Sequence, residues 1–148
     1  ETRPLFQGRK TAKELEKAGI KVTSFIDSAA KTALIQAKKI KGIDLIFFGA
    51  DAILKDGVIN KIGSGMFAEI AYNSKIPVYI IADSWKFSSS KVKIEQRNLN
   101  EVWNKAPKHI KIKNPAFEFI DKKHIKAIVS ELGILRLGDF ARKVRKKK

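Results

Sequence analysis

Leu45-Ile46-Phe47-Phe48-Gly49-Ala50-Asp51-Ala52-Ile53-Leu54-Lys55-Asp56-Gly57-Val58-Ile59-Asn60-Lys61-Ile62-Gly63 decides the fold. Its opening run, Leu45 to Phe48, is short, apolar and bounded by Gly49, the pattern of a buried strand. Ligands of open α/β sheets sit outside the carboxyl ends of the strands. Asp51 therefore falls where binding or chemistry is usually built. Asn60 and Lys61 follow a tight loop, and a Gly-rich turn then opens a helix. A carboxylate, an amide and an ammonium are expected to converge near a helix N-terminus, as a pocket for a small phosphorylated ligand.

Outward from this stretch, apolar segments alternate with amphipathic ones. Thr11-Ala12-Lys13-Glu14 reads as a capping box opening a helix that ends at Gly19. Val22 to Ile26 reads as a strand. Asp27 or Ser28 would cap a second helix with Ala30, Ala33, Leu34, Ala37 and Ile40 on one face, ended by Gly42. Ser64 to Ser74 is a predicted helix, with Phe67, Ile70 and Ala71 turned inward. Pro77 starts the strand Val78 to Ile81. Asn98 to Trp103 reads as a helical turn and Ile110 to Phe119 as extended chain. Asp121 would cap a last helix with Ile125, Ile128, Val129 and Leu132 on its stripe, stopped by Gly133. Alternation of this kind predicts an α/β domain with a mostly parallel sheet covered on both faces.

The chain has 148 residues and 44% apolar content, enough for one domain with a real core. It has no Cys, which excludes disulfides, thiolate zinc sites and a Cys nucleophile within it and fits a cytoplasmic protein. His109 and His124 have no metal-ligand spacing, so no metal is expected. No apolar run approaches the ~18 residues of a membrane span, and no membrane role is expected. The chain opens at Glu1 in mid-motif and without an initiator Met, which predicts a piece of a longer protein.

Thirty-one Lys and Arg face 15 Asp and Glu, a formal net charge of +16. Such a field favours anionic partners: RNA, phosphorylated metabolites or an acidic protein. The same lysines also serve solubility and thermal adaptation. Arg142 to Lys148 is a basic tail, read either as a frayed, solvated end or as an RNA contact. Met66, Phe67, Trp85 and Phe87 offer apolar anchors for self-association.

Gly63-Ser64-Gly65-Met66-Phe67-Ala68 matches the dinucleotide fingerprint, with Asp83 at the end of the next strand. The match lacks the hydrophobic strand that should lead directly into it, so no cofactor is expected. The weaker reading keeps the helix N–H groups as phosphate donors. No P-loop and no Ser/His/Asp order is present.

Several blocks occur together in one order: Glu1-Thr2-Arg3-Pro4 with Gln7-Gly8, Thr11 to Leu15, Ile26 to Ala30, Gly49 to Ile53, Asn60 to Gly63, Lys86-Phe87 and Asn114 to Phe117. This set resembles the carboxy-terminal half of the translation initiation factor 2B α/β/δ family. That family includes archaeal ribose-1,5-bisphosphate isomerases and methylthioribose-1-phosphate isomerases. The resemblance reaches to about Ile134 and implies a Rossmann-like three-layer domain, residues 1–141, with the tail at 142–148. It also implies homo- or hetero-oligomeric assembly through this half and contact with initiation factor 2. In the isomerases the aspartate of Gly-Ala-Asp is the acid/base partner of a cysteine, a role that would fall to Asp51. Asn60 and Lys61 would hold a sugar or nucleoside monophosphate, together with Gln7. The cysteine and the arginine-bearing phosphate loop belong to the other half, so the chain alone is expected to be inactive. Gly63-Ser64-Gly65-Met66 departs from the family's usual Gly-Thr turn. The regulatory-subunit reading leads at this point, and the isomerase is its alternative.

Overall fold

The computed structural model describes residues 1–40, 43–90 and 92–147. In chain order the elements are α1 (Gln7–Lys17), α2 (Ala30–Ile40), β1 (Ile46–Phe48), β2 (Ala52–Ile53) and β3 (Gly57–Lys61). Then come α3 (Ser64–Asn73), β4 (Val78–Ile81), β5 (Phe117–Asp121), β6 (Ala127–Ser130), β7 (Gly133–Leu135) and α4 (Leu137–Lys147).

The main sheet runs β1-β4-β6-β7. Its first two pairings are parallel, with Ile46 opposite Val78 and Ile80 opposite Ile128; β7 returns antiparallel. The mostly parallel α/β architecture is the one the alternation predicts. A second sheet, β2-β3-β5, is antiparallel throughout, which the alternation did not foresee. Leu54 N–H closes on Gly57 C=O at 2.8 Å, turning β2 straight back as β3 instead of crossing over a helix.

Both sheets feed one core. Ile53 and Val58 meet Val78, Ile80 and Ile128, with Ala71 of α3 and Phe140 and Val144 of α4. Each such buried aliphatic or aromatic side chain contributes about 1.5–3 kcal/mol. In the main sheet Phe48, Ile80, Ile128 and Leu135 share the core face. On the opposite face Phe47, Ile81 and Ile134 stand exposed, so cover on that side is incomplete among the described residues.

Several local expectations are corrected. The first helix starts at Gln7, not after Thr11. Thr11 Oγ1 donates back to Gln7 C=O and Glu14 pairs with Lys10, because the same spacing that makes a capping box also makes these interior contacts. The helix does end at Gly19: Gly19 N–H reaches Glu16 C=O and Ile20 N–H reaches Leu15 C=O, a Schellman closure. Val22 to Ile26 forms no strand. Among the described residues no strand pairs with it, and Val22 to Phe25 instead line a cavity with Phe47 to Gly49. Asp27 begins a 3-10 turn before α2, but its carboxylate makes no cap to that turn. Gly42 and the side chains of Ala37 and Ile40 lie outside the described residues.

The helix expected after Asp121 is a hairpin. Asp121 caps only the 3-10 turn Lys122–His124, accepting from Lys123 N–H at 2.8 Å. Ile125, Ile128, Val129 and Leu132 fit a helical stripe, yet they are β-branched for the most part, and β4 offers a parallel edge. The basic tail is not a frayed end. Through Lys147 it is the second half of α4, with Val144 buried, Lys143 Nζ donating to Leu132 C=O at 3.0 Å, and the Arg145 guanidinium 5.6 Å from the Phe87 ring centroid; Lys148 lies outside the described residues. Alternation of cations with Phe140, Ala141 and Val144 hides an amphipathic helix inside a lysine-rich run. Phe87 is buried against Phe140 and is no docking anchor, whereas Trp85 is 75% exposed.

Candidate functional site

Gln7, Asn60 and Lys61 line one cavity of about 890 Å³. Gln7 comes from the first turn of α1, and Asn60 and Lys61 from the end of β3. The wall is completed by Phe48 and Gly49, at the carboxyl end of β1, and by Ser64 and Phe67 of α3. This is the strand-end position where open α/β sheets build sites. Asp51 is not among the lining residues. It is exposed just before β2, its N–H donating to Ile59 C=O at 2.9 Å, next to Asn60 along β3.

The turn from β3 into α3 is fixed by side chains of two neighbouring strands of the antiparallel sheet, β3 and β5. Asn60 Nδ2 donates to Ser64 Oγ at 2.9 Å. Gly63 takes φ 98°, a left-handed value that costs a side chain strain. Gly65 N–H donates to Glu118 Oε1 at 2.7 Å, and a Cβ on Gly65 would lie 3.0 Å from Glu118 Oε2. Glu118 is the register partner of Asn60 on β5. One of the helix N–H donors reserved for a phosphate is therefore taken by the protein's own carboxylate. The dinucleotide reading fails for a related reason: the strand leading into the turn belongs to the antiparallel sheet, and Glu118 occupies the helix end.

Lys61 is half-buried, and among the described residues no carboxylate pairs with it. Arg3 joins it on the cavity wall. Across the cavity lies Asp27, a residue sequence reasoning treated only as a cap. Its carboxylate accepts from Thr2 N–H at 2.8 Å and Arg3 N–H at 2.7 Å, and pairs with the Glu1 amino group at 3.2 Å. Burial works to raise its pKa, but the hydrogen bonds from Arg3 and Thr2 N–H lead the opposing causes, and the net direction is downward. Asp27 thus ties the Glu1-Thr2-Arg3 segment, and Gln7 behind it, to the start of α2. Glu1 is also held by Arg9, whose guanidinium lies 3.9 Å from the Phe6 ring centroid. No sequence signal marked Glu118 or this use of Asp27, because their partners lie 53 and 24 or more residues away.

Asn114, from another of the quoted blocks, serves structure. It is buried, and its Nδ2 donates to Asn98 C=O at 2.9 Å and Glu101 Oε2 at 3.0 Å, anchoring the Leu99–Glu101 turn. Among the described residues no group of three or more His, Cys, Asp or Glu could hold a metal ion, and no helix is long and apolar enough to cross a membrane.

The ribose 1,5-bisphosphate isomerase of Methanocaldococcus jannaschii is 41% identical over 143 residues, covering 91% of this chain and 44% of that protein. The crystal structure of translation initiation factor eIF-2B subunit delta from A. fulgidus superposes with a TM-score of 0.86 at 32% identity, over 98% of this chain and 45% of that one. The 5-methylthioribose 1-phosphate isomerase of Pyrococcus horikoshii OT3 superposes equally well, TM-score 0.86 at 26% identity, over 99% of this chain and 44% of that one. The chain thus spans less than half the length of the curated relatives it matches. The family profile matches residues 1–137, and the chain belongs to the initiation factor 2 subunit family.

Proposed function

We propose that this chain is the carboxy-terminal half of a sugar-phosphate isomerase acting on ribose 1,5-bisphosphate, and that it supplies part of the phosphate clamp. One observation carries the reading: Gln7, Asn60 and Lys61, drawn from two distant parts of the sequence, share one cavity at the carboxyl ends of strands. The 41% identity to a ribose 1,5-bisphosphate isomerase supports it over the regulatory-subunit reading that the resemblance first suggested. Aldose–ketose isomerisation moves hydrogen between neighbouring carbons, so it needs paired acid/base groups and a charge clamp on the phosphate. Lys61 supplies the unpaired positive charge of the clamp. Asn60, braced on Ser64, and Gln7 supply neutral donors for sugar hydroxyls or phosphate oxygens. Asp51 serves as the acid/base partner of a group on the other half, from a position beside the cavity rather than on its wall. The chain by itself binds and does not turn over. The protein is cytoplasmic and assembles as an oligomer.

A second reading keeps one specific support. The delta subunit of an initiation factor shares the fold over 98% of the chain, so a regulatory subunit binding sugar or nucleotide phosphates in this cavity would look the same. Titration calorimetry with ribose 1,5-bisphosphate tests the clamp. Lys61→Ala should weaken binding by about 1.5–3 kcal/mol, the range of a hydrogen bond to a charged group. Asp51→Asn should leave affinity nearly unchanged, and in the whole enzyme it should abolish turnover, since an amide cannot exchange a proton. Equal losses for the two variants would mean the clamp is wrongly assigned. A full-length protein that binds but never isomerises would favour the regulatory subunit.

A further inference from the structure

A second hollow, of about 790 Å³, opens at the other end of the main sheet, where β4 and β6 begin. Lys75, Lys123, Lys126 and His124 stand around it, with the rings of Tyr72 and Tyr79. None of its lining residues carries a carboxylate. Among the described residues none of these three lysines has an ion-pair partner. Glu69, Glu118 and Asp121 line a neighbouring hollow with Lys123 and His124, and among the described residues none of the three forms an ion pair with these lysines. Three lysines without an ion-pair partner among the described residues line this one concave face, and an anion held there offsets their charge.

The cluster is more than a helix-end complement. A cation after α3 would suit the negative end of the helix, but Lys123 and Lys126 come from the separate segment before β6. Lys75 also sits at φ 58°, where the closure of α3 favours glycine, with Lys75 N–H on Tyr72 C=O and Ile76 N–H on Ala71 C=O. A lysine there places charge at the rim against the steric preference.

The aromatic groups narrow the ligand. Tyr72 is 55% exposed, and its ring meets His124 with centroids 5.3 Å apart. The exposed Tyr72 ring beside unpaired lysines forms a surface on which a base can stack while its phosphates meet the ammonium groups. We infer that this hollow binds single-stranded RNA, with phosphates on Lys75, Lys123 and Lys126 and a base against Tyr72. The site is remote from the Lys61 cavity and independent of the isomerase reading.

The test is fluorescence anisotropy with a labelled ten-nucleotide oligouridylate, titrated with this chain at several salt concentrations. Replacing Lys75, Lys123 and Lys126 together by Ala should lower the salt slope of log K by about 2, at roughly 0.7 for each lost phosphate contact, and weaken binding on the order of tenfold or more at low salt. A control removing the same charge from α1, Lys10→Ala with Lys13→Ala and Lys17→Ala, should do much less. Tyr72→Leu should weaken the single strand severalfold without moving the salt slope, and an RNA duplex should bind less well than the single strand. Circular dichroism of each variant confirms that it is folded. Equal effects of the two triple variants would reduce the binding to net charge and overturn the site. No change with Tyr72→Leu, or no binding by the unmodified chain, would overturn it as well.

Discussion

Glu118 fastens the start of α3 to β5, and its removal separates two contributions that are usually confounded. Its Oε1 accepts from Gly65 N–H at 2.7 Å in a part-buried setting. Glu118→Ala leaves that N–H without its acceptor and takes a negative charge from the positive end of the helix. A hydrogen bond to a charged group is worth about 1.5–3 kcal/mol, and a charge at a helix N-terminus about 0.3–1 kcal/mol. Water can reach part of the site, so the low end applies and the expected loss is about 2 kcal/mol. Glu118→Gln keeps a carbonyl acceptor at the same reach and gives up only the charge, so about 0.3–1 kcal/mol should be lost. Urea unfolding followed by circular dichroism reads both. At a slope of about 2 kcal/mol per molar, the midpoint should fall by about 1 M for Ala and by less than half of that for Gln. Glu118→Gln should also tighten phosphate binding at the neighbouring Asn60 and Lys61, because one repelling charge is gone. Equal destabilisation by the two substitutions would refute the reasoning, since the hydrogen bond would then contribute nothing beyond the charge.

Phe140→Ala, at a side chain with no exposed surface, should cost about 3–5 kcal/mol in the same assay, while Trp85→Ala, 75% exposed, should stay within about 0.5 kcal/mol; a small loss at Phe140 would refute the packing of α4 on the core. Asp27 gives a pH dependence of definite sign. Its folded pKa is below the ordinary 3.8, so its stabilisation is complete above that value and is lost as pH falls through the folded one. Asp27→Asn should therefore destabilise the protein at pH 6 and flatten the acid limb of its stability curve, as urea unfolding at a series of pH values would record.

What the sequence made legible follows the reach of each signal along the chain. Leu45 to Phe48 and Val78 to Ile81 were readable because a short apolar run with Gly or Pro at its border carries its own evidence of burial. The Asn60 and Lys61 pair was readable because the turn that presents it lies within three residues. The hairpin of β6 and β7 was not, since Ile125, Ile128, Val129 and Leu132 satisfy a helical period and only the edge of β4, 48 residues earlier, decides for the strand: Ile81 pairs with Val129 and Ile128 with Leu135. Nor was α4, whose Phe140, Ala141 and Val144 are diluted by arginine and lysine, so that the charge run masked the apolar stripe. The site divides in the same way. Gln7, Asn60 and Lys61 of its wall were named in advance, but Asp51 falls beside that wall, Arg3 and Asp27 on it were not foreseen as site residues, and neither was the electrostatics of the helix end. Sequence offered the N–H groups that open the helix near Ser64 as donors for an anion; the fold brings Glu118 from 53 residues away to one of them, Gly65 N–H. With that donor spoken for, a bound phosphate depends more heavily on Lys61, which is why the ammonium and not the helix should dominate the measured affinity.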